Sequence, residues 1–564
     1  MQYNFKKLLL PLLLLSLSIS FSCSNNSNFY NGMVSSAHPI ASQIGLDILK
    51  NGGNAFDAAI AVHFALSVVY PNAGNIGGGG FMVYRLNNGE IGTLDFREKA
   101  PEKALRDMYI DNIGGELKVD DKRSKIGHLA SGVPGSVDGM VKIHEKFSTV
   151  DWKDLLEPSI KVSRNGFQVT DKQAKGLNNV KESLLEVNNH PIPFVKDDQW
   201  KVGDTLTQKN LTKTLEEIKK SKRDGFYKGI VAELIISEIE SGGGIITQSD
   251  LDNYSSVWRV PVIGYFKNHK IISMGPPSSG GIALVQLLNG AEQLETKNYD
   301  HNSIEYINTI AEIETRVYAD RATHLGDPDF FNVPQKSLLD KDYLLNRFSE
   351  IESSIKTPSS EVKEGSFDGI ESEETTHFSI VDKYGNAVSV TTTINGGYGS
   401  KVVVEGAGFL LNNEMDDFSV KPGYPNMFGL VGGEANSIEP NKRMLSSMTP
   451  TIIEKNDKLF MVVGTPGGST IITSVFQTIL NVIDYNMDMQ EAVDSKKFHH
   501  QWLPDVLVVE ENTLSDKLSN DLTKIGHKIV KRKTLGRMDC ILVREDGSLE
   551  GGADKRGDNI ALGY

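Results

Sequence analysis

Between residues 40 and 49, Ile40, Ile44, Ile48 and Leu49 recur at helical spacing, and Asn51-Gly52-Gly53 supplies a C-terminal stop. The stretch from 55 to 69 is apolar on nearly every side and ends before Pro71, which predicts a helix buried all round. Residues 81–86 and 91–96 read as strands joined by Asn87-Asn88-Gly89, a hairpin turn signal. The middle, roughly 151–350, alternates charged amphipathic helical stretches with short apolar runs and offers little chemistry. Its exception is Gly275-Pro276-Pro277-Ser278-Ser279-Gly280-Gly281, a rigid turn ahead of a helix starting near Ile282. From 352 to 374 Ser, Glu and Lys dominate and no apolar period survives, so a flexible, exposed boundary is expected there.

Immediately after it, residues 376–381 alternate in period two, Asp382-Lys383-Tyr384-Gly385-Asn386 makes a turn, and 387–394 form a second strand. Further strands are predicted at 459–463, 540–544 and 549–553, the last two flanking Glu545-Asp546-Gly547-Ser548, with a helix over 469–485. No internal repeat is present. The pattern describes stacked sheets covered by helices, a layered α/β architecture.

A chain of 564 residues with 39% hydrophobic and 23% charged residues can build an extensive core. A net charge of −14 argues against non-specific grip on nucleic acid, which needs clustered cations, and favours small substrates. Lys6 and Lys7 precede an apolar run from 8 to 19, too short and interrupted to read as a membrane span; residues 1–22 are expected to be a signal peptide, followed by a polar tether over 23–31. Ser22-Cys23 resembles a bacterial lipoprotein processing site, with Cys23 as the lipidated first residue, although Ser20 departs from that pattern. Plain secretory cleavage and a retained anchor are the alternatives; in each case the protein is exported, periplasmic or attached to the cell envelope. The other cysteine, Cys540, reads as a small buried hydrophobe on a strand.

Several catalytic plans are excluded by inspection: no G-x-S-x-G elbow, no H-E-x-x-H zinc helix and no G-x-x-x-x-G-K-[ST] phosphate loop occurs. No metal or cofactor is expected. His499-His500, on successive positions, reads as structural or surface residues. Gly77-Gly78-Gly79-Gly80 and Gly464-Thr465-Pro466-Gly467-Gly468 lack the phosphate-loop lysine and suit close backbone packing or an oxyanion site. Thr375 stands where a cut would create a new chain terminus. A terminal threonine carries its own base, the α-amine, whose reference pKa of about 7.7 to 8.0 leaves it partly neutral near pH 7. Before the cut, the same hydroxyl can attack the carbonyl of Glu374 and shift the chain to an ester that water opens. On these residues alone Thr375 also reads as an ordinary strand-edge threonine.

Six motifs in order add a further argument. Thr375-Thr376-His377-Phe378-Ser379, Asn412-Asn413-Glu414-Met415-Asp416-Asp417-Phe418, Leu445-Ser446-Ser447-Met448-Thr449-Pro450 and Gly464-Thr465-Pro466-Gly467-Gly468-Ser469 resemble the small subunit of γ-glutamyltransferases. Gly74-Asn75-Ile76-Gly77-Gly78-Gly79-Gly80-Phe81 and Asp95-Phe96-Arg97-Glu98-Lys99-Ala100-Pro101 resemble the large subunit. The resemblance spans residues 32–564 and implies the αββα sandwich of N-terminal-nucleophile hydrolases. It implies self-cleavage between Glu374 and Thr375 into subunits 32–374 and 375–564 that remain together as a heterodimer, with glutathione and related γ-glutamyl compounds as substrates and water or an amino acid or peptide as acceptor.

The same resemblance assigns roles. Thr375 is the nucleophile, Thr393 bonds it, and the N–H groups of Gly467 and Gly468 form the oxyanion hole. Arg97 clamps the substrate α-carboxylate with Ser446 and Ser447, while Asn395, Glu414 and Asp417 hold the α-ammonium. Three departures are visible: Glu414 where some bacterial members have glutamine, Gly396-Gly397 where threonines are frequent, and Phe428 where tyrosine is frequent in a lid over residues 423–444. The loss of that hydroxyl removes a bond to Asn395 and puts lid closure in question. Competing readings are a glutaryl or β-lactam side-chain acylase of the same superfamily, and a non-catalytic lipid-anchored binding protein.

Overall fold

The first strand, β1 (Gly32–Ser36), hands the chain to two helices whose ends are written in the sequence. α1 (Pro39–Lys50) has proline at its first turn and stops at Asn51, before Gly52 at a φ of +99°. α2 (Ala55–Val69) opens with a capping box between Asn54 and Asp57 and buries every residue, as its unbroken apolar sequence predicts. The coordinates form a computed structural model that describes residues 29–113, 116–362 and 375–564. The leader, Cys23, most of the tether and Glu374 lie outside the described residues.

The hairpin at Asn87-Asn88-Gly89 joins β2 (Gly79–Arg85) to β3 (Ile91–Asp95). The middle of the chain contributes β4 (Val257–Arg259), β5 (Val262–Phe266), β6 (His269–Ser273) and the helices α3 (Gly280–Gln293) and α4 (Ile304–His324). Beyond the junction come β7 (Thr376–Asp382), β8 (Ala387–Thr393), β9 (Thr451–Lys455), β10 (Lys458–Val463), α5 (Thr470–Ile483), β11 (Asp539–Val543), β12 (Leu549–Ala553) and β13 (Ile560–Gly563).

Among the described residues these strands make two antiparallel sheets, ordered β13-β1-β7-β8-β2-β3-β4 and β12-β11-β10-β9-β6-β5. Alternation along each strand sorts the side chains into layers. Phe378, Ile380, Val388 and Val390 face α1 and α2, whereas Val381 and Ala387 join the apolar cluster shared with the second sheet and with α3, α4 and α5. This is the αββα sandwich of N-terminal-nucleophile hydrolases. Segments from both sides of residue 374 interleave in each sheet: β1 pairs with both β7 and β13, and β6 with β9. A cut at that point leaves two pieces zipped together by backbone hydrogen bonds.

Two local expectations are sharpened. In 352–362, read as exposed, Ser359 and Val362 are buried and the Trp502 indole donates to the Ser359 carbonyl at 3.1 Å, so a bulky ring elsewhere in the chain recruits a polar-looking segment. Residues 363–374 lie outside the described residues. For His499 and His500, read as structural or surface residues, the structural alternative holds: both are buried, and each has a ring nitrogen 2.9 Å from a hydroxyl, of Thr473 and Thr315 respectively. Cys540 is buried, with no disulfide. Among the described residues no helix is long and apolar enough to cross a membrane.

Candidate active site

The site forms where strand ends of the first sheet meet loops of the second. β7 and β8 pair Thr376 with Thr392, so continuing the register sets Thr375 opposite Thr393. By period two, both lie on the face of the sheet that carries His377 and Ser389, turned toward the second sheet, where the Ser389 hydroxyl meets the Val463 carbonyl. Thr375 is buried, with 4% of its surface exposed. The Thr393 hydroxyl accepts from the Asn395 N–H at 2.7 Å and bears on the Glu414 carboxylate. Asn395 itself has φ +69°, a left-handed backbone that asparagine adopts readily where its side chain bonds nearby backbone. Its amide does so by donating to the Asn413 carbonyl at 2.9 Å.

Arg97 lies two residues beyond the end of β3, fixed by the Asp95 carboxylate accepting from its N–H at 2.9 Å. Its guanidinium is 1% exposed and forks between Glu414 at 2.7 Å and Asp417 at 2.5 Å, with Glu98 at 3.5 Å. Burial pushes all three carboxyls upward against the pull of Arg97, Glu98 to about 8. Ser446 is held by the rigid turn that precedes α3: its N–H donates to the Pro277 carbonyl at 2.9 Å, and its carbonyl accepts from the Ser279 N–H at 2.8 Å.

Gly467 and Gly468 adopt positive φ, +140° and +53°, immediately before α5, so their backbone sits at the positive end of that helix. A Cβ on Gly468 would stand 2.5 Å from the ring of Phe428. The loop carrying Phe428 is pinned by Asn426, whose amide donates to Asp417 at 3.1 Å, and by the Met427 N–H, which donates to Asp416 at 2.7 Å.

Every predicted site residue except Gly467 lines one cavity of about 20 Å³, and Gly467 adjoins it in sequence. That is room for about one water. Arg97, its partners Glu414 and Asp417, and Phe428 all border this space. The cavity also holds a residue that the sequence did not single out. Arg321 on α4 is buried, donates to Ser279 at 2.9 Å and to Ser447 at 3.1 Å, and forms no ion pair among the described residues. Burial lowers its pKa, yet it brings a second guanidinium to the Ser446-Ser447 wall.

The predicted effect of Phe428 takes a different form in the structure. Met427, not Phe428, meets Asn395, with its sulfur 3.5 Å from the amide, and a Cβ on Gly396 would stand 2.9 Å from the Met427 methyl. The paired departures fit one another: the small Gly396 leaves room for Met427, and Phe428 packs on Gly468.

The arrangement sets a buried hydroxyl pair and a glycine-built helix terminus beside one wall of cationic groups and another of carboxylates. Residues 41–564 match the gamma-glutamyltranspeptidase family. The chain belongs to that family. A glutathione hydrolase proenzyme of Escherichia coli (strain K12) is 46% identical, with 94% of this chain and 92% of that protein covered. The crystal structure of Helicobacter pylori gamma-glutamyltranspeptidase is 45% identical over 58% of this chain and 93% of the solved chain, with a TM-score of 0.56. A cephalosporin acylase from Bacillus halodurans is 24% identical, with a TM-score of 0.81 over 98% of this chain and 99% of that one, a likeness of fold. The γ-glutamyltranspeptidases thus share both fold and substantial sequence identity with this chain.

Proposed function

We propose that Thr375 is the nucleophile, freed as a chain terminus by self-cleavage after Glu374, and that residues 32–374 and 375–564 stay associated as large and small subunits. The chain is a self-processing γ-glutamyl hydrolase/transpeptidase, the enzyme of its family, acting on a small-molecule substrate. It cleaves the γ-glutamyl bond of glutathione and related compounds and passes the glutamyl group to water or to an amine. The observation that carries the residue assignment is the presence of Thr375 in one cavity with a guanidinium forked between two carboxylates.

A free glutamyl group bears both charges that this cavity complements. Its α-carboxylate exchanges with Glu414 and Asp417 for Arg97, aided by Ser446, Ser447 and the Arg321 behind them. Its α-ammonium is taken by Glu414, Asp417 and the carbonyl of the Asn395 amide. With both charges held, the side-chain carbonyl meets the Thr375 hydroxyl. The α-amine of Thr375 accepts the hydroxyl proton, Thr393 orients the oxygen, and the N–H groups of Gly467 and Gly468 bind the oxyanion. Collapse expels the amine and leaves a γ-glutamyl ester on Thr375, which water or an acceptor amine opens.

We assign residues 1–22 to an export signal and Cys23 to a lipid anchor, so that the mature enzyme works in the periplasm or on the cell envelope; the sequence of the leader supports this. The activity is tested by the initial rate of chromophore release from a γ-glutamyl anilide, comparing the protein with its Thr375→Ala variant. Release by the parent alone, with the variant remaining a single chain, is the expected outcome. Equal release by both contradicts the assignment.

A further inference from the structure

Two side-chain amides beside the cavity converge on one sulfur. The Met427 thioether stands 3.5 Å from the amide nitrogen of Asn395 and 3.6 Å from that of Asn413, so each N–H donates to a sulfur lone pair. The other bonds of these amides fix their orientation. Asn413 donates to the Lys125 carbonyl at 3.0 Å and accepts from the Gly396 N–H at 2.9 Å. Asn395 donates to the Asn413 carbonyl at 2.9 Å. The Asn413 carbonyl and the sulfur thus take the N–H groups of Asn395, and the oxygen of that amide receives no bond from the described residues. Asn395 borders the nucleophile's cavity and Met427 does not. The sulfur therefore acts from behind, holding the nitrogen end of the amide away so that the oxygen end is left for a donor.

The thioether has little room to move. The Met427 N–H donates to Asp416 at 2.7 Å, and the methyl lies over Gly396, where an added Cβ would stand 2.9 Å from it. The side chain is nevertheless partly exposed, within reach of a small solute.

We propose that Met427 is a positioning residue for the donor's α-ammonium, acting through Asn395, and that oxidation of its sulfur by a hydroperoxide is a reversible brake on donor binding. The inference rests on the γ-glutamyl reading of the cavity. A sulfur lone pair takes the terminal oxygen of the peroxide and the O–O bond breaks. The proton on the transferred oxygen passes to the departing one, which leaves as water or an alcohol. Sulfur is oxidised by two electrons and the peroxide is reduced by two. N–H···O bonds close at about 2.9 Å, so an oxygen cannot enter the gap between sulfur and amide unless the side chain draws back. Gly396 and the bond to Asp416 oppose that retreat, and the loop shifts instead, releasing the Asn395 amide. A methionine sulfoxide reductase restores the thioether.

The test is steady-state hydrolysis of a γ-glutamyl anilide by the parent, by Met427→Leu and by Met427→Gln, each before and after brief hydrogen peroxide treatment, with oxidised residues mapped by mass spectrometry. Leucine keeps the apolar bulk without the acceptor, and glutamine, equally long and unbranched, supplies one. The expected result is a KM about tenfold higher in Met427→Leu with kcat within about threefold, and a KM within about threefold of the parent's in Met427→Gln. Peroxide should add one oxygen to Met427 of the parent and raise its KM by about tenfold, with recovery after treatment with the reductase, and leave the KM of both variants unchanged. A parental KM in Met427→Leu overturns the inference. So does an equal rise in both variants, which would make Met427 a packing element. A parent that keeps its KM with Met427 oxidised, or a Met427→Leu enzyme that peroxide still slows through KM, overturns the brake. A parent that releases no anilide overturns the γ-glutamyl reading and the inference with it.

Discussion

The ring of Phe428 packs on Gly468, so close that a single added carbon on the glycine would stand 2.5 Å from Phe428 Cδ1. The loop that covers the cavity therefore rests on one of the two glycines assigned to the oxyanion. Gly468→Ala should lower kcat by about 10²-fold, because the methyl both strains a φ of +53° and pushes the ring off its seat. Adding Phe428→Ala should recover part of that loss, measured as anilide hydrolysis by the double variant. If the second substitution recovers nothing, the ring is not what the methyl meets.

In the proposed mechanism Arg97 and Arg321 serve the same substrate group from different depths. Arg97→Lys keeps the charge but loses the fork between Glu414 and Asp417, and a loss of about 2 kcal/mol, roughly 30-fold in kcat/KM, is expected. Arg321→Gln should raise the donor KM by about tenfold with a smaller change in kcat, since it reaches the ligand through Ser447. Steady-state kinetics with a γ-glutamyl anilide separate the two. An Arg321→Gln enzyme with parental KM would make that residue a packing element only.

Glu98 links the site to pH. Its carboxyl, ordinarily near 4.5, is raised by burial to about 8 in the folded protein, so between those values the folded state holds a proton that the unfolded chain releases. Its contribution to stability is full below about pH 4.5 and is lost as the pH rises toward about 8. Glu98→Gln, which cannot ionise, should flatten this part of the profile, with its Tm gaining on the parent's as pH increases. Thermal unfolding at pH 5 and pH 8.5 checks the sign; a parent Tm that gains on the variant's over that interval contradicts it.

The long elements were readable because local pattern and final environment agree. Residues 55–69 are apolar all round and are buried all round, and the turn at Asn87-Asn88-Gly89 lies where the two-residue period breaks. The middle of the chain was less readable. Arg321 stands in an ordinary charged helical stretch, and only tertiary packing brings it to Ser447; no local spacing encodes that contact. The rigid turn at Pro276-Pro277 was visible, but its use as a brace for Ser446 depends on a partner some 170 positions away. Among the predicted cavity residues, most come from motifs whose resemblance carried more information than their composition. Nothing in the two-residue alternation after Thr375 distinguishes a nucleophile from a strand edge.

In the proposed mechanism, recognition of the α-ammonium separates this enzyme from an acylase of the same fold. A glutaryl anilide has the γ-type amide and the distal carboxylate but no ammonium, which leaves Glu414 and Asp417 without their counter-charge. A preference of about 10³-fold or more for γ-glutamyl over glutaryl anilide in kcat/KM is expected, and Asp417→Asn should erase most of it by slowing the glutamyl substrate. Comparable rates on the two anilides would favour the acylase reading.

In the proposed mechanism one threonine both begins the smaller chain and carries the glutamyl group. The direct measurement is mass spectrometry of the protein quenched in acid during turnover of a γ-glutamyl donor. Two polypeptides are expected, the smaller beginning at Thr375 and transiently heavier by one glutamyl group mapped to that residue, with Thr375→Ala neither cut nor labelled. A single intact chain that still turns over the donor, or a glutamyl label on any other residue, contradicts it.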